Sequence, residues 1–269
     1  MLTITTLASG SSGNSLLVSG GGTHILIDAG ISCRRIAAAL NQLHIAPESL
    51  SAVLITHEHT DHVCGLATMV KKMTVPIYAS AGTALQLIHR TGLPEERIHP
   101  FHAGADFFVG PLHCTSFSTP HDAADSVGYT VELDGEKMAL ATDLGHVTDT
   151  VRRAVLGSQL VVLESNHDID WLNSGPYPYF LKQRILGDRG HLCNEAGAEL
   201  AAQCVQAGAH TVILAHLSRE NNTPARAYDV TFRRLVTLGI DPEQDVRLSV
   251  AAPAWSGETF AVGREKTPC

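Results

Sequence analysis

One short stretch restricts this chain more than any other. Residues Ala52–Thr56 form an apolar, strand-length run, and directly after it come His57-Glu58-His59-Thr60-Asp61-His62. A strand buried on both faces reads as a continuous apolar run, so this polar cluster belongs at the strand's end, on the rim of a sheet. Side chains alternate along an extended segment, which puts His57 and His59 on the same side. A turn into a helix then presents Asp61 and His62 beside them. Helix capping explains Thr60 and Asp61, but it does not explain three histidines at the mouth of an apolar strand. Four nitrogen and oxygen donors within six residues can feed two adjacent metal ions. Neutral imidazoles with a carboxylate suit zinc, and they also suit manganese or iron. Histidine is frequent in the whole chain, at 15 of 269 residues, and imidazole is the usual metal ligand and proton carrier.

The same strand-end logic supplies further ligands. His121 follows the strand-like run His113–Ser118, Asp143 follows Lys137–Thr142, and His216 follows Thr211–Ala215. Taken singly, each has an ordinary explanation as a capping or surface residue. With the first cluster they make seven candidate metal ligands: His57, His59, Asp61, His62, His121, Asp143 and His216. Strand-like runs open the chain at Leu2–Leu7, Ser15–Val18 and His24–Ile27, and an amphipathic helix follows from about Ser32 to Leu43, with Ser32 as its N-cap. Helices and strands then interleave, strands cluster again between His99 and Thr142, and the alternation resumes to the end. Helix Asn194–Ala207, capped by Asn194, is expected just before strand Thr211–Ala215. This order predicts an α/β (α+β) fold with two mixed β-sheets packed face to face and helices outside, a four-layer αββα sandwich. No repeat appears, and no Pro/Gly/Ser-rich linker divides the chain, so a single domain over residues 1–269 is expected.

Composition removes several classes. The formal net charge is −8, from 27 acidic and 19 basic side chains, which argues against a broad basic surface coating nucleic acid. A local basic groove stays open, and bound divalent cations would add charge that the count omits. No apolar run reaches the roughly 18 residues that would span a bilayer, and Met1–Gly10 has no signal-peptide pattern. The six cysteines are widely spaced with no C-x-x-C pair. That pattern fits reduced thiols in a cytoplasmic protein.

His57-x-His59-x-Asp61-His62 followed by His121, Asp143 and His216 resembles the metallo-β-lactamase superfamily, in its dinuclear hydrolase branch. The resemblance implies that His57, His59 and His121 hold one ion, that Asp61, His62 and His216 hold the other, and that Asp143 bridges both. Asp28 then matches the aspartate that supports the ligand loop, although a simple turn residue at a strand end explains it nearly as well. Glu164, His191 in Arg189-Gly190-His191-Leu192, and His216 follow the order seen in β-CASP nucleases. Only 48 residues (191 − 143) separate Asp143 from His191, too few for the large cap domain of that group. The capless YycJ/WalJ-type DNA exonucleases are the better match, through Leu7-Ala8-Ser9-Gly10-Ser11-Ser12-Gly13-Asn14-Ser15, Glu164-Ser165-Asn166-His167-Asp168, Gly175-Pro176-Tyr177-Pro178-Tyr179 and Leu181–Leu186.

This resemblance implies a phosphodiesterase with two divalent ions, zinc or manganese. It would be a 5′→3′ DNA exonuclease using a metal-bridging hydroxide, with DNA as substrate and a place in DNA repair. The candidate catalytic residues are Asp61, His191 and Glu164. His191 is expected to act as general acid or phosphate donor, with Glu164 hydrogen-bonded to it, raising its pKa and fixing its tautomer. Lys182, Arg184, Arg189 and Asn222 are the candidate substrate-binding residues, with Tyr177 and Tyr179 available for stacking. A solvated helix face and a packed proline-rich loop account for these side chains equally well. His167, close to Glu164, is the unassigned histidine most worth testing. Two rival readings stay open: a glyoxalase II-like thioesterase or other small-molecule metallo-hydrolase, and a ribonuclease. Oligomeric state is not legible.

Overall fold

The computed structural model describes residues 1–254 and 257–263. They fall into two compact units. Among the described residues, the first comprises Met1–Ser118, Ala123–Gly135 and the segment up to Ala261 that begins at Ala252; the second comprises Thr119–Asp122, Glu136–Ala251 and residues 262–263.

The first unit opens with an antiparallel meander, β1 (Thr3–Ala8), β2 (Ser15–Gly20) and β3 (Thr23–Ile27). Helix α1 (Cys33–Gln42) follows, and Ser32 caps it by accepting a hydrogen bond from the Arg35 N–H at 3.3 Å. β4 (Ala52–Leu54) pairs parallel with β3. The chain then runs through α2 (Thr60–Val63), α3 (Leu66–Lys72), β5 (Ile77–Ser80), α4 (Ala81–Thr91) and β6 (Ile98–Phe101). β5 and β6 extend the sheet in parallel. Strands β7 (Asp106–Val109), β8 (Leu112–Ser118) and β9 (Val127–Leu133) form an antiparallel ribbon. Leu26, Val53, Ile55 and Ile77 lie in a core with Ile36 and Leu40 of α1 and Met69 of α3.

In the second unit β10 (Glu136–Ala141), α5 (Asp149–Val155), β11 (Leu160–Glu164), α6 (Ile169–Ser174), α7 (Tyr179–Leu186), α8 (Asn194–Gln206), β12 (Thr211–Ala215), α9 (Pro224–Thr237) and β13 (Arg247–Val250) follow in order. These four strands pair in parallel, and every residue of β11 and β12 is buried. That explains the apolar runs at residues 160–163 and 212–215. A last strand, β14 (Phe260–Ala261), returns to pair with β1 in the first unit.

The elements read from the sequence are present within a few residues, whereas β6, α6 and α7 were not expected. β6 contains Pro100 and occupies the outer edge of its sheet, the place where a strand tolerates proline. α6 is a short helix capped by Asp168, which accepts from the Trp171 N–H. α7 has no fully buried residue, so it carries no apolar stripe from which a helix is read. The assignment of Asn194 as an N-cap is corrected: Cys193 holds the cap position without a side-chain bond. Asn194 is buried, and its Oδ1 accepts from Ser165 Oγ at 2.7 Å. No helix among the described residues is long and apolar enough to cross a membrane. The five cysteines among them carry free thiols; Cys269 lies outside the described residues.

Candidate metal centre

Each unit carries one group of metal-ligating side chains at its strand ends. In the first unit β4 stops at Leu54, and the chain runs through Thr56 and His57 to α2, with His59 at the cap position. The rings of His57 and His59 lie 4.5 Å apart, and those of His57 and His62 lie 4.1 Å apart. Asp61 Oδ2 is 3.4 Å from His62 Nε2. Glu58, inside the same motif, turns away: its carboxylate accepts from the Ala124 N–H at 2.9 Å and from Thr83 Oγ1.

Asp28 organises this group from behind. It is buried at the end of β3 in a left-handed conformation with φ 62°, which an aspartate tolerates better than most residues. Its Oδ1 accepts from the Thr56 N–H at 2.8 Å, and its Oδ2 accepts from Thr56 Oγ1 at 2.8 Å and faces His62 Nδ1 at 2.7 Å. A carboxylate on Nδ1 leaves Nε2 as the electron-pair donor, the usual support of a metal-bound imidazole. The Ser9–Asn14 turn adds a second support. The Asn14 N–H donates to Asp61 O at 2.7 Å, and its side-chain amide lies 3.1 Å from His62 Nε2. Gly30 lets these loops and the start of α2 close up, because a Cβ there would lie 1.7 Å from Asp61 O. Asn14 and Thr56 are the residues that motif reading missed. The glycine-rich turn was a signal for the first, and nothing local marked the second.

Asp28→Asn keeps the shape but weakens the hold on His62. We expect metal affinity to fall about 10- to 100-fold with the fold retained. Competitive chelator titration checks the first point and circular dichroism the second.

In the second unit His121, Asp143, Glu164, His191 and His216 converge. Asp143 and His216 stand just after β10 and β12, both in left-handed backbone with φ 61° and 57°. Asp143 Oδ1 lies 3.7 Å from His121 Nε2, 3.7 Å from His191 Nδ1 and 3.5 Å from His216 Nδ1. Donor atoms of Asp143, Glu164, His191 and His216 all lie within 4.8 Å of one another. His121 Nδ1 sits 3.1 Å from Gly190 O, and burial lowers the pKa of its ring, against the pull of Asp143.

Glu164 is 0% exposed. Its Oε1 meets both His191 Nδ1 and His216 Nδ1 at 2.8 Å, and its Oε2 accepts from the backbone N–H of Leu144 at 2.8 Å and of Leu192 at 3.1 Å. Burial alone would raise this carboxyl, but the His191 and His216 imidazoles hold it well below the usual carboxylate range. The sequence pointed to the Glu164–His191 contact; the second imidazole was not anticipated.

The candidate substrate-binding side chains have partners of their own. Lys182 Nζ donates to Asn173 O at 2.7 Å, Arg184 pairs with Asp122, and Arg189 Nε donates to His121 O at 2.8 Å. Asn222 is buried, and its amide donates to Ser165 O, Asn166 O and Asn194 Oδ1. Its side chain therefore braces the loop after β11. Tyr179 is exposed at the start of α7.

Imidazoles turned by carboxylate and carbonyl partners, beside acidic oxygens at strand ends, form the donor set of a metal-dependent hydrolase. The model of the β-lactamase superfamily domain matches residues 23–217. The chain belongs to the metallo-β-lactamase superfamily and, within it, to the family of the YycJ and WalJ proteins. It is 38% identical over 217 residues to the exodeoxyribonuclease YycJ of Bacillus anthracis, covering 80% of this chain and 82% of that protein. It is 35% identical over 250 residues to the exodeoxyribonuclease WalJ of Streptococcus pneumoniae, covering 92% and 93%. The crystal structure of the metallo-β-lactamase fold protein YhfI of Bacillus subtilis superposes with a TM-score of 0.69 at 16% identity, over 97% of this chain and 100% of that one. The α/β fold class expected from the order of elements is that of the superfamily.

Proposed function

We propose that this chain is a two-metal phosphodiesterase, a 5′→3′ DNA exonuclease of the cytoplasm, with residues 1–269 acting as one catalytic domain. His57, His59 and His121 would hold one divalent ion and Asp61, His62 and His216 the other, with the Asp143 carboxylate available to both. Bound zinc or manganese ions supply an activated water and neutralise the charge that builds on the phosphate. The observation that carries the reading is the standing of His191 on Glu164. His191 has a 20% exposed side chain beside Asp143, and its Nδ1 is tied to a fully buried carboxylate. Glu164 fixes the ring and leaves Nε2 to carry a proton outward. As the water oxygen bonds to phosphorus and the bond to the 3′-oxygen breaks, His191 Nε2 delivers a proton to that leaving oxygen. A thiolate leaves without such help, so thioester hydrolysis has no use for this pair. The names of the YycJ and WalJ relatives agree with a DNA substrate. Lys182 and Arg189, both close in sequence to His191, are proposed to position backbone phosphates.

The test is degradation of 5′- and 3′-labelled DNA and RNA by purified protein, with elemental analysis of the same sample. We expect loss of nucleotides from the 5′ end of DNA. Thioester hydrolysis with no nuclease activity would overturn the reading. Metal removal gives a separate expectation. Dialysis against a chelator should abolish cleavage, and added manganese or zinc should restore it. Full activity in protein shown by elemental analysis to be metal-free would dismiss the metal mechanism.

A further inference from the structure

A cavity of about 370 Å³ lies in the second unit, and His191 is part of its wall. That volume falls within the roughly 300–1,000 Å³ of small-molecule sites. Val147, Leu186, Leu192 and Leu200 give it aliphatic walls. One polar side is already satisfied internally: Arg152 Nε donates to Gln203 Oε1 at 3.1 Å, and Gln203 Nε2 donates to Glu199 Oε1 at 3.1 Å.

His167 is the exception. It lines the same cavity, is only 1% exposed, and neither ring nitrogen has a hydrogen-bond partner. Buried polar groups are nearly always paired, so this ring calls for a partner from outside the chain. Its backbone cannot swing away, because the Asn194 N–H donates to His167 O at 2.9 Å and His167 bridges to Cys193. Burial lowers the His167 pKa to about 4. At neutral pH the ring is therefore uncharged, with one donor and one acceptor. That pair does not suit a phosphate, which requires donors or positive charge. An acyl chain would leave it unpaired. The edge of a nucleobase, which can accept from the imidazole N–H or donate to its bare nitrogen and lies between two apolar faces, suits both the ring and the walls.

We infer that this cavity is a subsite for the base of the terminal nucleotide, with His167 pairing to the base edge. The inference rests on the nuclease reading and adds to it a contact with the base, where the metal centre handles only the backbone. Seating the base here holds its nucleotide against His191.

The experiment compares DNA ends that carry an intact terminal nucleotide with ends that carry an abasic one. The unmodified protein should prefer the intact end by about tenfold to a hundredfold in kcat/KM. Ala196, half-buried on α8 and in the cavity wall, offers a way to fill the space without touching the core. Ala196→Trp should bring intact ends down to the abasic rate and leave turnover of bis(p-nitrophenyl) phosphate unchanged. Equal rates on both ends in the unmodified protein would overturn the inference. So would an equal fall on DNA and on the small diester in Ala196→Trp. Binding is read separately, from the ring nitrogen resonances of His167 during titration with deoxyadenosine 5′-monophosphate or deoxyribose 5-phosphate. Only the first should shift them, and only with the cavity open; no shift at saturation rejects the subsite. Failure of the nuclease reading looks different: no DNA end is degraded while the mononucleotide still binds.

Discussion

His191→Ala is expected to lower turnover on DNA about 100- to 10,000-fold, the usual contribution of a positioned general acid or base, while metal content stays near normal. His191 Nδ1 is taken by Glu164 at 2.8 Å, and its side chain is the more exposed member of that pair, so Nε2 is the nitrogen that the proposed mechanism uses. Because the ring is partly exposed, its removal opens little buried space, and Glu164 keeps its bonds to Leu144, Leu192 and His216, so the fold should persist at a stability cost smaller than that of losing Glu164 itself. Turnover measured together with elemental analysis separates the two outcomes. A matching loss of bound metal would make His191 a ligand and move the proton-delivering role elsewhere. A substrate with an activated leaving group, such as a nitrophenyl diester, should be less sensitive to the substitution, because nitrophenolate needs no proton to depart.

Glu164→Ala is expected to produce the largest loss of stability of any single change at the site. The carboxylate accepts four hydrogen bonds from groups far apart in the chain, the N–H groups of Leu144 and Leu192 and the rings of His191 and His216. Without it two backbone N–H groups stay buried with no acceptor, at about 1–3 kcal/mol each. The two imidazoles lose the partner that orients them. Breaking a buried ionic arrangement from one side typically destabilises by about 3–5 kcal/mol. Denaturant unfolding should report a loss of that order, accompanied by weaker metal binding through His216. Glu164→Gln keeps the volume and one oxygen, so it should recover part of the stability but little of the activity. Stability within about 1 kcal/mol of the unmodified protein in Glu164→Ala would show that the network is dispensable.

Asp28 and Glu164 do related work in the two units. Each is a buried carboxylate that touches backbone N–H and imidazole Nδ1 together. Each therefore ties the path of the chain to the direction of a ring. Asp28, Asp143 and His216 also share left-handed backbone just past a strand. Non-glycine residues seldom adopt that conformation, and it gathers at functional sites.

What the chain revealed on its own was local. Apolar runs that end in His57, Asp143 or His216 show a sheet with ligands on its rim, because strand burial and side-chain alternation act over a few residues. The density of His57, His59, Asp61 and His62 was enough to indicate metal, and the spacing of the later residues was enough to indicate a family. Only the tertiary structure decided the rest. α7 has no fully buried residue, so no apolar periodicity announced it. Asn222 looked available to substrate and proved to be a buried brace, because its partners Ser165, Asn166 and Asn194 lie 28 or more residues away in sequence. Glu164 became a hub for two rings, and His167 became the unpaired wall of a cavity, for the same reason. Hydrogen-bond partners and burial depend on which distant segments meet, and a linear pattern records only what each residue offers.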